Sequence, residues 1–215
     1  MSAAKPAIFL EQLIADGVRS IGQLRIRSAE GGFTLHHIDD ESADVLAISH
    51  SAEDALEIAR YDDTGAFRPL KTAPNLRHGW QLVLADLTAV ARAIDYLYPG
   101  RLAAFASYRE HELVTTSLRD TLARQTGMYR VAAQATDTQL DELVGHFCRS
   151  DGGCLRTILW RRNAAGDPPS STFAPEKFDP QFNQSSRAAT TIPLLCQEAC
   201  NLLVAEVRRA VKSQG

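Results

Sequence analysis

Four cysteines are the residues of this 215-residue chain whose types and spacing could do chemistry together. They form two pairs, Cys148-Arg149-Ser150-Asp151-Gly152-Gly153-Cys154 and Cys196-Gln197-Glu198-Ala199-Cys200, and the chain has no cysteine elsewhere. Sulfurs clustered in this way suit three occupants: two disulfides, a structural zinc ion, or an iron–sulfur cluster. Zinc usually takes paired cysteines with about two to four residues between them. The first pair is wider than that and the second is not, so spacing leaves zinc open. A cubane needs its sulfurs spread over a wider span, and the Gly152-Gly153 pair lets backbone amides approach inorganic sulfide. Arg149, Arg156, Arg161 and Arg162 stand in the same third of the sequence, where positive charge would offset that of a thiolate-ligated cluster. On the residues alone, cluster and zinc stand level.

Composition narrows the setting. With 45% apolar and 23% charged residues and a net charge of −3, the chain reads as an ordinary globular protein able to bury a core. That balance lacks the basic surplus a nucleic-acid binder needs. No segment approaches about 18 uninterrupted apolar residues, and the N-terminus has no long apolar run. The expectation is a cytoplasmic protein without membrane or nucleic-acid partners. In a reducing cytoplasm disulfides become the weakest of the three occupants.

The elements that must position the cysteines follow from periodicity. Ile8, Phe9, Leu13 and Ile14 have helical spacing ending at Gly17. Ile21–Arg27 and Phe33–Ile38 alternate about Gly31-Gly32 and read as a hairpin. Ser51 to Asp54 has the form of a capping box opening a helix at Ala55. A strand is expected near Phe67–Leu70, a brief strand or extended entry at Gly79–Leu84, and a helix over Ala85–Leu97 with Leu87, Val90, Ala91, Ile94 and Leu97 inward. Further helices are expected at Leu102–Ser107 and Val114–Gln125. Thr136 caps a helix bearing Leu140, Leu143, Val144 and Phe147, whose last turn carries Cys148. Leu155–Trp160 alternates like a strand, and the Pro-rich run 163–186 reads as loop. A terminal helix over Leu195–Val211 would place Cys196 and Cys200 on one face at its N-terminus, where amides favour thiolate charge. The fold class expected is α+β: a small N-terminal hairpin and helix module (1–66), a helical stabilising module (67–133), and a four-cysteine domain (134–215).

From about Phe67 onward, over roughly two thirds of its length, the chain resembles the C-terminal region of certain sirohydrochlorin cobaltochelatases. There a stabilising module precedes a [4Fe-4S] cluster-binding domain. The likeness rests on Arg68–Leu76 with Gly79-Trp80, on Tyr98-Pro99-Gly100, on Arg124–Arg130 (Arg-Gln-Thr-Gly-Met-Tyr-Arg), and on Cys148–Trp160 and Cys196–Val204. The series is specific as a set. The resemblance implies that Cys148, Cys154, Cys196 and Cys200 hold the irons of a [4Fe-4S] cluster, with zinc as the alternative. The chelatase half does not carry over, because the residues before Phe67 are too few for a doubly wound α/β domain. What is implied is a free-standing iron–sulfur protein for electron transfer or redox sensing, served by a protein redox partner near tetrapyrrole or cobalt metabolism. The alternative is a zinc-pinned interaction module.

Other residues receive plainer readings. His36 and His37 point to opposite faces of a strand, cannot jointly hold one ion, and are expected to be solvated. His146 is expected as a donor behind a cluster ligand or a helix-surface residue. Trp80 and Trp160 are expected in the core, and Tyr129-Arg130 over the cluster. No Ser-His-Asp arrangement, phosphate loop or dinucleotide fingerprint names a catalytic group.

Overall fold

Alternation and glycine turns build the first half. The computed structural model describes residues 4–43, 45–68, 76–149, 154, 156–163 and 190–213. Its strands are, in chain order, β1 (Ser20–Ile21), β2 (Leu24–Ala29), β3 (Gly32–His37), β4 (Ala47–Ser49), β5 (Trp80–Leu84), β6 (Thr157–Ile158), β7 (Thr191–Ile192) and β8 (Leu195–Cys196). Its α-helices are α1 (Ala4–Ala15), α2 (Ala55–Arg60), α3 (Leu87–Leu97), α4 (Arg101–Arg109), α5 (Leu118–Ala123), α6 (Asp137–Arg149) and α7 (Asn201–Lys212). The fold is mixed α and β, and it divides into two compact units. The first runs to His111 and takes back a segment ending at Leu194; the second begins at Glu112 and resumes at Leu195.

The first unit is organised on a six-stranded mixed sheet of order β4-β5-β3-β2-β1-β7. The expected hairpin is β2 and β3, antiparallel with Ile26 opposite Leu35, and it turns at Gly31, whose φ of 79° favours glycine. β5 lies antiparallel on β3, with Leu82 opposite Leu35. Trp80, Leu82 and Leu84 are all buried, as period-two alternation requires. Helix α3 is capped by Asp86, whose carboxylate accepts from the Ala89 amide, and buries Val90, Ala91, Ala93, Ile94 and Leu97. It packs on α1, α2 and the β3–β5 strands. α1 ends as expected at Gly17: the Val18 amide reaches the Leu13 carbonyl and the Gly17 amide that of Ile14, the double bond of a Schellman end.

Three expectations are corrected here. A boundary between 66 and 67 does not exist, because β5 on the far side of it pairs with β3 on the near side; the sheet makes residues up to 111 one unit. At the expected capping box, the Ser51 hydroxyl bonds the amide and carboxylate of Glu53, so a turn of 3-10 helix precedes α2. Phe67 forms only an isolated bridge to Tyr61; residues 69 and 70, expected to continue that strand, lie outside the described residues.

The second unit has its own core, made by Leu118, Leu122, Ala132, Leu140, Val144, Ile158, Trp160, Leu203, Val204 and Val207 among others. α6 opens with a reciprocal capping box: the Thr136 amide donates to the Gln139 side chain and the Gln139 amide to the Thr136 hydroxyl. β6 and β8 pair in parallel, Ile158 opposite Cys196. The Arg119 and Arg162 guanidinium groups pair with Asp137, and Arg162 also with Asp141, fastening the start of α6 to neighbouring segments. Arg119 holds the Asp137 carboxyl below the usual carboxylate range. No described helix is long and apolar enough to cross a membrane.

Candidate metal centre

Each cysteine is delivered by a different piece of local structure. Cys148 stands in the last turn of α6, reached by the helical spacing of Leu140 and Val144, both fully buried. Cys154 lies outside any helix or strand, three residues before β6 begins. Cys196 lies in β8 rather than in a helix, and Cys200 is the N-cap of α7 with extended φ and ψ of −79° and 163°. The expected shared helix face of Cys196 and Cys200 is therefore absent. Leu194 and Leu195 are both buried, and β8 finds a backbone partner in β6; that pairing overrides the four-residue spacing of the two cysteines.

The pieces converge. Cys196 is part of the core of the second unit, and Cys148 and Cys200 pack against that same core. Cys154 feels the charges of Cys196 and Cys200. All four are free thiols. Burial pushes the Cys154 thiol pKa up; the Arg156 amide and guanidinium oppose this, while Cys196 and Cys200 raise it further. A thiol whose ionisation is opposed by burial and by neighbouring sulfur is one that a cationic centre would stabilise as thiolate.

Arg156 is the informative neighbour. It is 9% exposed, and its Nε is buried without a hydrogen-bond partner among the described residues. No carboxylate pairs with it among the described ion pairs, whereas Arg119, Arg124 and Arg162 each have one. A buried guanidinium is costly without an anion, and the thiols supply the nearby negative charge once ionised. The donor set thus suits an anionic, sulfur-ligated group. Trp160, 1% exposed, donates its indole N–H to Cys196 Sγ at 3.3 Å, and the Cys196 thiol reaches the Glu198 carbonyl at 3.0 Å. At the start of α7 the Cys200 side chain caps no amide. The sequence offers no signal for the Trp160–Cys196 bond, because the pairing depends on β6 meeting β8.

The remaining expected neighbours separate. His146 is exposed and its ring meets Phe147 edge-on at 4.9 Å, so it is a surface residue of α6. Tyr129 is 42% exposed and lies beneath the Arg208 guanidinium at 4.2 Å, a cation–π stack on the outside of the unit. Gly152 and Gly153, expected to offer amides, lie outside the described residues. Trp80 and Trp160 are in the core, as their size and neighbours imply.

Comparison with known proteins accords with this geometry. Residues 110–209 match a family described as 4Fe-4S iron-sulfur cluster binding domain, and residues 9–111 match the DR2241 stabilising domain. The second match begins well before Phe67, where the motifs first suggest it. The fold resembles a crystal structure of DR2241 from Deinococcus radiodurans, with 26% sequence identity and a TM-score of 0.76, over 98% of this chain and 41% of that one. That protein is described as multi-domain, with structural similarity to chelatases and two additional novel domains. The present chain therefore spans about two fifths of its relative. Comparison with curated proteins found no match. The junction of the two family matches falls at the division between the compact units, the stabilising-domain family matching the stretch before it and the 4Fe-4S cluster-binding family the stretch after it.

Proposed function

We propose that Cys148, Cys154, Cys196 and Cys200 together hold one [4Fe-4S] cluster, and that the chain serves electron transfer or redox sensing with a protein partner. The observation that carries this reading is Arg156: a buried guanidinium with an unpartnered Nε beside a thiol that is itself close to two others. When bound, the cluster supplies reversible one-electron chemistry. The chain's own residues bind and tune. Arg156 offsets thiolate charge, Trp160 holds Cys196 by its N–H, and the amides at the start of α7 favour an anion at Cys200. Four protein thiolates leave no iron position for a substrate, which supports a redox role over a dehydratase-like one. A reducing compartment such as the cytoplasm suits four free thiols. The relative's described likeness to chelatases is the support for a partner in tetrapyrrole or cobalt metabolism.

Anaerobic purification tests the reading. A brown protein with about four irons and four sulfides per chain, bleached by dithionite, is expected. Colourless protein that takes up stoichiometric zinc, and no iron, after anaerobic reconstitution defeats it in favour of a structural zinc site.

A further inference from the structure

The first unit carries a second group of metal-ligating side chains, far in sequence from any cysteine. His37 ends β3, Asp39 follows in a turn of 3-10 helix, and His78 lies in the segment entering β5. Their ligand atoms lie within 4.8 Å of one another. The expectation of solvated strand histidines fails here: His36 is 3% and His37 0% exposed. His36 is not part of the group, its Nδ1 being turned to the His37 carbonyl at 2.9 Å.

We infer that His37, Asp39 and His78 form a binding site for one divalent first-row transition-metal ion. Four observations support this. The first is the donor set, two imidazoles and one carboxylate, which suits ions such as zinc, iron(II), cobalt(II) or nickel(II) and leaves coordination positions for water. The second is charge. Asp39 and Asp40 flank the rings, and among the described residues neither has a lysine or arginine within ion-pair distance; their only such neighbours are His37 and His78. Asp40 is 7% exposed. Two carboxylates around two imidazoles match a dication.

The third is the support behind His78. Its Nδ1 lies 3.6 Å from Asp40 Oδ1, and Asp40 Oδ2 is fixed by the Gly79 amide at 2.7 Å. A carboxylate behind an imidazole is the arrangement that orients a ligating histidine. The fourth is His37 itself. The Asp39 amide donates to its Nδ1 at 3.1 Å, while its Nε2 is buried with no partner among the described residues. With Nδ1 the acceptor, the ring's lone pair lies there, and an ion takes it in place of the Asp39 amide. The two rings stand 3.9 Å apart, centroid to centroid. Ligand atoms on one ion sit about 3–3.5 Å apart. The Asp39 and His78 side chains are 68% and 41% exposed, which leaves room for the small rotations that close that gap.

This site is independent of the cysteine centre, and the test keeps them apart. Cobalt(II) is titrated anaerobically into the full chain carrying its cluster. One equivalent is expected to bind with visible ligand-field bands and without sulfur-to-cobalt charge transfer, raising Tm. His78→Ala and Asp39→Asn, at exposed positions, should each weaken binding at least about 100-fold, and Asp40→Asn about 10- to 100-fold, with unchanged circular dichroism. Cobalt held by cysteine, should the cluster reading fail, would announce itself by intense sulfur charge transfer. The inference is overturned if no sulfur-free cobalt binds, or if His78→Ala and Asp39→Asn bind it as the parent does.

Discussion

The indole N–H of Trp160 points at Cys196 Sγ, 3.3 Å away in a nearly dry core. Hydrogen bonds to a ligating sulfur withdraw charge and raise a cluster's reduction potential. Trp160→Phe removes this donor and leaves a void beside β8. The expected outcome is a more negative midpoint potential with iron content retained, and a stability loss of about 1–3 kcal/mol. Redox titration followed by electron paramagnetic resonance checks it; an unchanged potential would show that the indole does not act on the sulfur.

Cys148→Ser, Cys154→Ser, Cys196→Ser and Cys200→Ser should each lower the iron bound per chain and the Tm of the second unit, since metal binding is folding free energy for a site built from separate segments. Any one variant keeping full iron and colour removes that residue from the ligand set. The effect should be smallest for the unfolded fraction of the first unit, whose core shares none of these side chains.

Tyr98 gives an alkaline signature. It is fully buried, its hydroxyl accepts from the Gln23 amide at 3.0 Å, and burial pushes its pKa up to about 12. The unfolded phenol ionises near pH 10. Because the folded pKa is the higher, the contribution of Tyr98 is fully present below pH 10 and is lost as pH rises toward 12, by about 3 kcal/mol in all. Urea melts across that window should show the slope, and Tyr98→Phe should flatten it while costing about 1 kcal/mol at neutral pH for the stranded Gln23 amide. A slope that survives in Tyr98→Phe belongs to another group.

Gly22→Ala should destabilise the first unit by about 2–4 kcal/mol. Gly22 has φ of +54°, and a Cβ there would stand 2.8 Å from Leu194 Cδ1 and 3.0 Å from the Tyr98 ring and hydroxyl. Denaturation midpoints measure it; a change below about 0.5 kcal/mol would mean that the turn relaxes.

How far the sequence can be read depends on the range of the interactions that decide each element. Helix α6 and the place of Cys148 are legible because the Thr136–Gln139 box and the Leu140, Leu143, Val144 and Phe147 spacing are local. So is the β2–β3 hairpin, whose turn and alternation lie within a few residues. Cys196 is misread as helical because its strand partner, Thr157–Ile158, is remote in sequence. His37 is misread as solvated because alternation assigns opposite faces to neighbours but cannot say that both faces are covered there. Arg156 is legible as one of a set of arginines, yet its burial and its place beside Cys154 emerge only from tertiary packing.

Strand β7 makes the first unit discontinuous. The Ser20 and Thr191 hydroxyls bond at 2.8 Å across 171 residues of chain, and Ser20–Ile21 would be a bare edge without that strand. Closing so long a loop costs entropy that local contacts do not repay, so this edge should form late. During synthesis the sheet stays open until nearly the last helix has emerged. A fragment stopped at His111 would therefore present an unpaired β-edge, a template for self-association, and the same late-arriving stretch leads within four residues to Cys196.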